Sequence, residues 1–183
     1  MSKKRIILLL LIIFLILLFS FLFKKFFLTY DDSVDREYVE LLNTTKKVSI
    51  TSPLSLNDET GRKISSNKGG VTVYYKIKLK SKRDKISRYK ILLDTNSFNS
   101  NISDKYVKVL LSSKEDKLLR TYDKKSYITL DKLPIFKNKL VLHEGRISGH
   151  ITKEFILRLW MSDFYVMDKD NQVFEGFVTV YSY

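Results

Sequence analysis

An all-β fold is what this sequence predicts: an antiparallel β-sandwich of jelly-roll or immunoglobulin-like type, behind one N-terminal transmembrane helix and a short juxtamembrane helix. Three observations carry the prediction. Residues 6–23 read IILLLLIIFLILLFSFLF, eighteen positions with no charge and one polar member, Ser20. The rest of the chain holds eight or nine short runs of alternating apolar and polar residues, cut by polar or glycine-bearing breaks. All eleven tyrosines lie beyond the apolar run, and strands favour aromatic residues. The expected organisation is an anchor at 1–28, a juxtamembrane helix and linker at 29–46, and the sandwich at 47–183.

The apolar run comes first. Eighteen helical residues span about 27 Å, close to the ~30 Å hydrocarbon core of a bilayer. At roughly −0.4 kcal/mol per apolar residue, insertion is favoured by about 7 kcal/mol. Ile6, Leu11, Phe14, Leu18 and Phe23 mark its length. A cleaved signal has a shorter apolar region and a small-x-small cleavage site. Here Phe21, Leu22, Phe23, Lys24, Lys25, Phe26 and Phe27 follow, and the chain contains no alanine. An uncleaved anchor is therefore expected, with a cleaved signal as the competing reading. Lys3, Lys4, Arg5 and the amino terminus precede the run, and only Lys24 and Lys25 follow it. That excess predicts a single-pass membrane protein with its N-terminus inside and its body extracytoplasmic.

Residues 31–42 (DDSVDREYVELL) place Val34, Tyr38, Leu41 and Leu42 at helical spacing, with Asp31, Asp32 and Ser33 for capping. This is the juxtamembrane helix. The strands follow. Residues 71–80 (VTVYYKIKLK) are the clearest: Val71, Val73, Tyr75, Ile77 and Leu79 point one way, and Thr72, Tyr74 and three lysines the other. Further strands are expected at 47–51, 87–94, 106–112, 118–122, 127–130, 139–143, 153–161 and 173–181. The breaks fall at 57–61, 69–70, 96–103, 144–149 and 168–171.

Five of the 33 Lys and Arg lie in residues 1–25, which hold no acid, so 28 against 20 remain and the body carries +8. Such a surplus attracts polyanions. The basic residues are dispersed, as on a solvated surface, and no nucleic-acid motif accompanies them. Cysteine is absent, which excludes disulfides, thiolate catalysis and cysteine metal sites. An exported domain of this kind fits a Gram-positive surface.

The order of these segments resembles the small exported β-sandwich proteins of Firmicutes grouped with TasA and camelysin. The likeness runs over residues 48–183. It begins with ITSPLSLNDETGRK (50–63), VTVYYKIKLK, ISRYKILLDTN (86–96) and YVKVLLSS (106–113). It is best in ITKEFILRLWMSD (151–163), with Arg158 and Trp160 in register, and in the closing FEGFVTVYS (174–182). The resemblance implies a structural or adhesive role at the cell surface or in a biofilm matrix. Some members of that group build fibres by donating a strand, which a tethered N-terminus does not favour. It has no catalytic residues to carry over.

Other chemistry is sparse. His143 and His150 flank a glycine-bearing turn and lack the ligand set that zinc needs. Asp168, Asp170 and Asn171 begin like a calcium loop but miss its later ligands. No nucleophile elbow, phosphate loop or metalloprotease motif occurs. Neither an enzyme nor a cofactor is expected. Arg158 and Trp160 share one face of their strand, with Phe155, Leu157, Leu159 and Met161 on the other. Two readings stand for the pair: a packed Trp–Arg contact under a loop, or an exposed contact patch. The expected partners are the membrane and either the chain itself or another surface protein. The alternative function is a module binding anionic cell-wall polymer or polysaccharide.

Overall fold

Alternation decides the architecture. The computed structural model describes residues 38–96, 100–113, 127–167 and 171–183. They belong to one compact unit, Arg36–Tyr183. Among the described residues nine strands form two antiparallel sheets: β1 (Val39–Leu41), β2 (Lys47–Ile50), β3 (Val73–Ser81), β4 (Ser87–Asp94), β5 (Val107–Ser113), β6 (Ile135–Phe136), β7 (Lys139–Ile147), β8 (Thr152–Met161) and β9 (Phe174–Ser182). One sheet runs β1-β3-β8-β5 and the other β2-β9-β4-β7-β6. Val73, Ile77 and Leu79, with Leu157 and Leu159, face Ile50, Ile91, Leu93, Leu142 and Val178 across a shared buried core. This is an all-β sandwich.

β3, β4, β5, β8 and β9 lie within a residue or two of their expected bounds; β3 alternates, whereas β5 and the second half of β8 are buried on both faces. The differences have physical causes. Residues 38–42 were expected to close a juxtamembrane helix; instead Val39–Leu41 form a strand, and Val39 is fully buried. The pairing Val39↔Ser81 to Leu41↔Leu79 overrides helical spacing, so the sandwich begins before residue 47. The rest of that expected helix, and the whole apolar run from Ile6 through Leu11, Phe14 and Leu18 to Phe23, lie outside the described residues. So does the expected strand at 118–122. Among the described residues no helix is long and apolar enough to cross a membrane.

The break expected at 57–61 contains a short helix, α1 (Asp58–Arg62), capped by the Asn57 side chain on Thr60 N–H at 2.9 Å. The break expected at 144–149 starts later, since β7 continues through Ile147 opposite Ser87. Residues 127–130 make one bridge, Lys108↔Thr129, and then a 3-10 turn rather than a strand. The last strand, whose place near the C-terminus makes it a potential pairing edge in the sequence, is internal, paired with β2 on one side and β4 on the other.

Candidate interaction surface

Trp160 and Arg158 stand on the outer face of the first sheet, and neither is exposed: 0% and 6% of their surfaces remain accessible. Of the two readings of the pair, the exposed contact patch does not fit this burial and the packed arrangement under a covering segment does. β8 is a central strand, and α1 with the segment after it covers its outer face. Gly61 of α1 lies directly on the indole; a Cβ there would sit 2.2 Å from Trp160 Cε2. Tyr127 meets the indole edge-on at 5.4 Å, and Ile64 and Leu110 complete a small second core. Arg158 donates from Nε to Ile64 O at 2.7 Å and from Nη1 to Ser112 Oγ at 2.9 Å. Its guanidinium lies 5.6 Å from the ring of Tyr74, its cross-strand neighbour. Both residues are structural here.

Lys108, opposite Trp160 on β5, is the hinge of this face. Its Nζ is 2.7 Å from Asp58 on α1 and 3.2 Å from Asp163 just past β8. Burial alone pulls its ammonium down, but the hydrogen bonds and charges of the two aspartates outweigh that and raise its pKa. One buried cation thus ties α1 and the β8 exit to the sheet.

What this clamp positions is a rim of apolar side chains. Beyond Asp163 stand Phe164 (78% exposed), Val166 (80%) and Met167. Ser55 Oγ donates to Tyr165 O at 2.5 Å and Leu56 N–H donates to Met161 O at 3.0 Å. Leu54, the residue before Ser55, is exposed as well. Tyr165 itself turns inward, edge-on to Tyr106. The rim lies at the Met161 end of β8. Tyr38 lies at the other end, since Val39 pairs with Ser81 and Lys80 pairs with Thr152. The ten residues of β8 separate the two ends by about 30 Å.

Most sheet edges are closed by specific devices. Beyond β1, the outer side of β3 is bonded by Asn43, whose side chain donates to Lys76 O and accepts from Lys78 N–H, and by Asn67, which accepts from Tyr74 N–H. Ile128 O accepts from Val109 N–H on the outer side of β5. β6 pairs with β7 only at Lys139 and Leu140. Among the described residues no strand pairs with the outer side of β7 from His143 to Ile147. This stretch, where only the Lys153 ammonium reaches a backbone group (Arg146 O, 2.7 Å), is the longest unpaired strand edge; β1 and β2, which end their sheets, also have no strand on their outer sides among the described residues.

The other candidates hold less. His143 is half-buried between the rings of Tyr89 and Phe155; burial, and then Lys153, lower its pKa against the pull of Glu144. His150 sits apart in the β7–β8 turn, 2.7 Å from Asp84 Oδ1. Among the described residues no three His, Cys, Asp or Glu gather as metal ligands. Of the expected calcium-like turn, Asn171 adopts φ 60° and its carbonyl accepts from Asn101; residues 168–170 lie outside the described set. A cavity of about 430 Å³ is lined by Thr95, Asn96, Asp104, Ile135, Asn138 and Leu140. Burial pushes the Asp104 carboxyl up, a hydrogen bond from Thr95 opposes this, and the charge of Asp131 adds to it.

No family model, no curated protein and no solved structure matches the chain. Its class therefore rests on the fold: an all-β sandwich of two antiparallel sheets with an exposed apolar rim at one end.

Proposed function

We propose that this chain is a membrane-anchored, extracytoplasmic β-sandwich with a structural or adhesive role at the cell surface, acting through protein–protein contacts. The single observation that carries this reading is the rim of Leu54, Phe164, Val166 and Met167. Large exposed side chains gathered at one end of a soluble domain mark a contact surface rather than a solvated one. The rim lies at the end of the sandwich remote from Tyr38, the first described residue. The open side of β7 is a second place where a partner strand would add. The apolar run at 6–23 supports the single-pass anchor, and the basic excess before it supports an inside N-terminus. The jelly-roll or immunoglobulin-like class, and the likeness to the TasA and camelysin group in a biofilm-related role, belong to the same reading.

The test is adhesion by producing cells that carry wild type or the Phe164→Ser/Val166→Ser double variant at matched membrane levels. Both side chains are exposed, so the variant folds. The reading expects cell–cell adhesion to fall in the variant and to survive moderate salt. Equal adhesion at equal surface amounts refutes it. Adhesion that collapses with salt while ignoring the rim substitutions assigns the protein instead to the wall-polymer-binding alternative.

A further inference from the structure

The opposite end of the sandwich has its own chemistry. Two turns meet there, residues 82–86 between β3 and β4 and residues 148–151 between β7 and β8. They form one unit. Gly149 packs on Asp84, where a Cβ would lie 2.5 Å from Asp84 O; Ser81 N–H donates to Ile151 O at 3.2 Å; His150 Nε2 meets Asp84 Oδ1. Each turn projects an isoleucine into solvent, Ile86 at 66% and Ile151 at 50% exposure. Around them stand Lys82, Arg83, Lys85, Arg146 and Lys153, all exposed. The one acid within the turns, Asp84, is the group engaged by His150. Tyr38, the first described residue, is at this same end, with the Arg83 guanidinium 4.0 Å from its ring centre.

We propose that this end is a lipid-docking face, which seats Ile86 and Ile151 in the headgroup region of an anionic phospholipid bilayer while the surrounding Lys and Arg side chains engage the phosphates. A soluble polyanion would be served by the basic residues alone and would leave both isoleucines in water. An anionic bilayer surface satisfies both, since it offers phosphate outside and acyl chain beneath. Covalent continuity favours the same occupant. Residues 24–37 join Tyr38 to the apolar run, and fully extended they reach no more than about 50 Å. This argument rests on the anchor proposed above: a tethered face meets the bilayer at high effective concentration. Docking here would hold the rim some 30 Å away from the membrane, facing outward.

The chain has no cysteine, so single labelling sites are clean. Full-length Ile86→Cys, Ile151→Cys and, as the far-end control, Val166→Cys are each coupled to an environment-sensitive fluorophore. They are reconstituted with phosphatidylcholine vesicles, with or without phosphatidylglycerol. Flotation reads the anchor and the label reads the docking. The expected result is flotation with both vesicle types. Labels at 86 and 151 shift to the blue and lose iodide quenching only where phosphatidylglycerol is present, and the label at 166 stays water-like. Adding Lys85→Glu/Arg146→Glu abolishes the shift while flotation persists. A protein that floats with labels at 86 and 166 equally water-exposed overturns the docking face and leaves the anchor standing. A protein that does not float refutes the anchor; docking then stands only if label 86 still shifts on added phosphatidylglycerol vesicles, and is overturned if it does not. An equal response to soluble polyphosphate overturns the assignment to lipid.

Discussion

Replacing Gly61 by alanine sets two known effects against each other, and the packing on Trp160 decides between them. α1 is short and mostly exposed, so alanine in place of glycine gains about 1 kcal/mol in an unconstrained helix. Here the new Cβ would lie 2.2, 2.5 and 2.6 Å from three indole atoms. Carbon contact needs about 3.5 Å, so the helix or the ring must retreat by roughly 1 Å or more. The indole is fully buried between Ile64, Leu110 and Tyr127 and has no free direction. Overpacking of this kind costs about 1–3 kcal/mol. With contacts this short the cost falls in the upper half of that range, about 2–3 kcal/mol, so the expected net is a loss of about 1–2 kcal/mol, or a fall in Tm of roughly 2–8 °C for a domain of this size. Trp160 is the only tryptophan, so its fluorescence reports on this contact alone. Wild type should emit like a buried indole and resist acrylamide. Gly61→Ala should shift emission to the red and increase quenching. A variant that gains stability with unchanged emission would show that α1 does not rest on the indole, and the covered-face account would fail.

Three further substitutions test the electrostatics. Lys108→Met keeps the stem but strips Asp58 and Asp163 of their shared cation; both are partly exposed, so the loss is about 1–2 kcal/mol, and limited proteolysis should then cut faster at 162–167. Asp104 has its folded pKa raised by burial, so its ionisation opposes folding above that pKa. Asp104→Asn should therefore raise Tm at pH 7, and the gain should vanish below the unfolded value of about 3.8, where both states are protonated. His143 has its folded pKa lowered, again by burial first. Wild-type stability should fall as pH drops below about 6.5 and level off below the folded pKa. His143→Phe should flatten that slope in a Tm-against-pH series, and an unchanged slope would place its origin elsewhere.

Long alternating strands were legible in the sequence because period two admits one buried face. β4 falls at Ser87–Asp94, the bounds its alternation predicts. Short elements were not. Residues 38–42 carry apolar spacing that suits a helix or a strand, and only pairing with β3 decides between them. α1 spans five residues and includes Gly61, which hides it among turn residues; Asn57 followed by Asp58, Glu59 and a late Arg62 was the signal available. The fate of Arg158 and Trp160 was half legible. Alternation shows that they share a face, but their burial depends on a lid drawn from a hundred residues away. Phe164, Val166 and Met167 fall in a loop, where no periodicity marks them, although a run of bulky apolar residues beside a polar turn was there to be read. The open side of β7 follows from sheet order, which a single sequence does not encode.

The central claim is an anchored sandwich whose rim faces outward, and one labelling experiment addresses it directly. Val166→Cys, the sole thiol in the chain, is treated with a membrane-impermeant maleimide on intact producing cells, and the product is sized and sequenced from its N-terminus. The account predicts full-length protein in the membrane fraction, labelled before lysis. Label that enters only after lysis, or a shortened product in the medium beginning near residue 30, would contradict it.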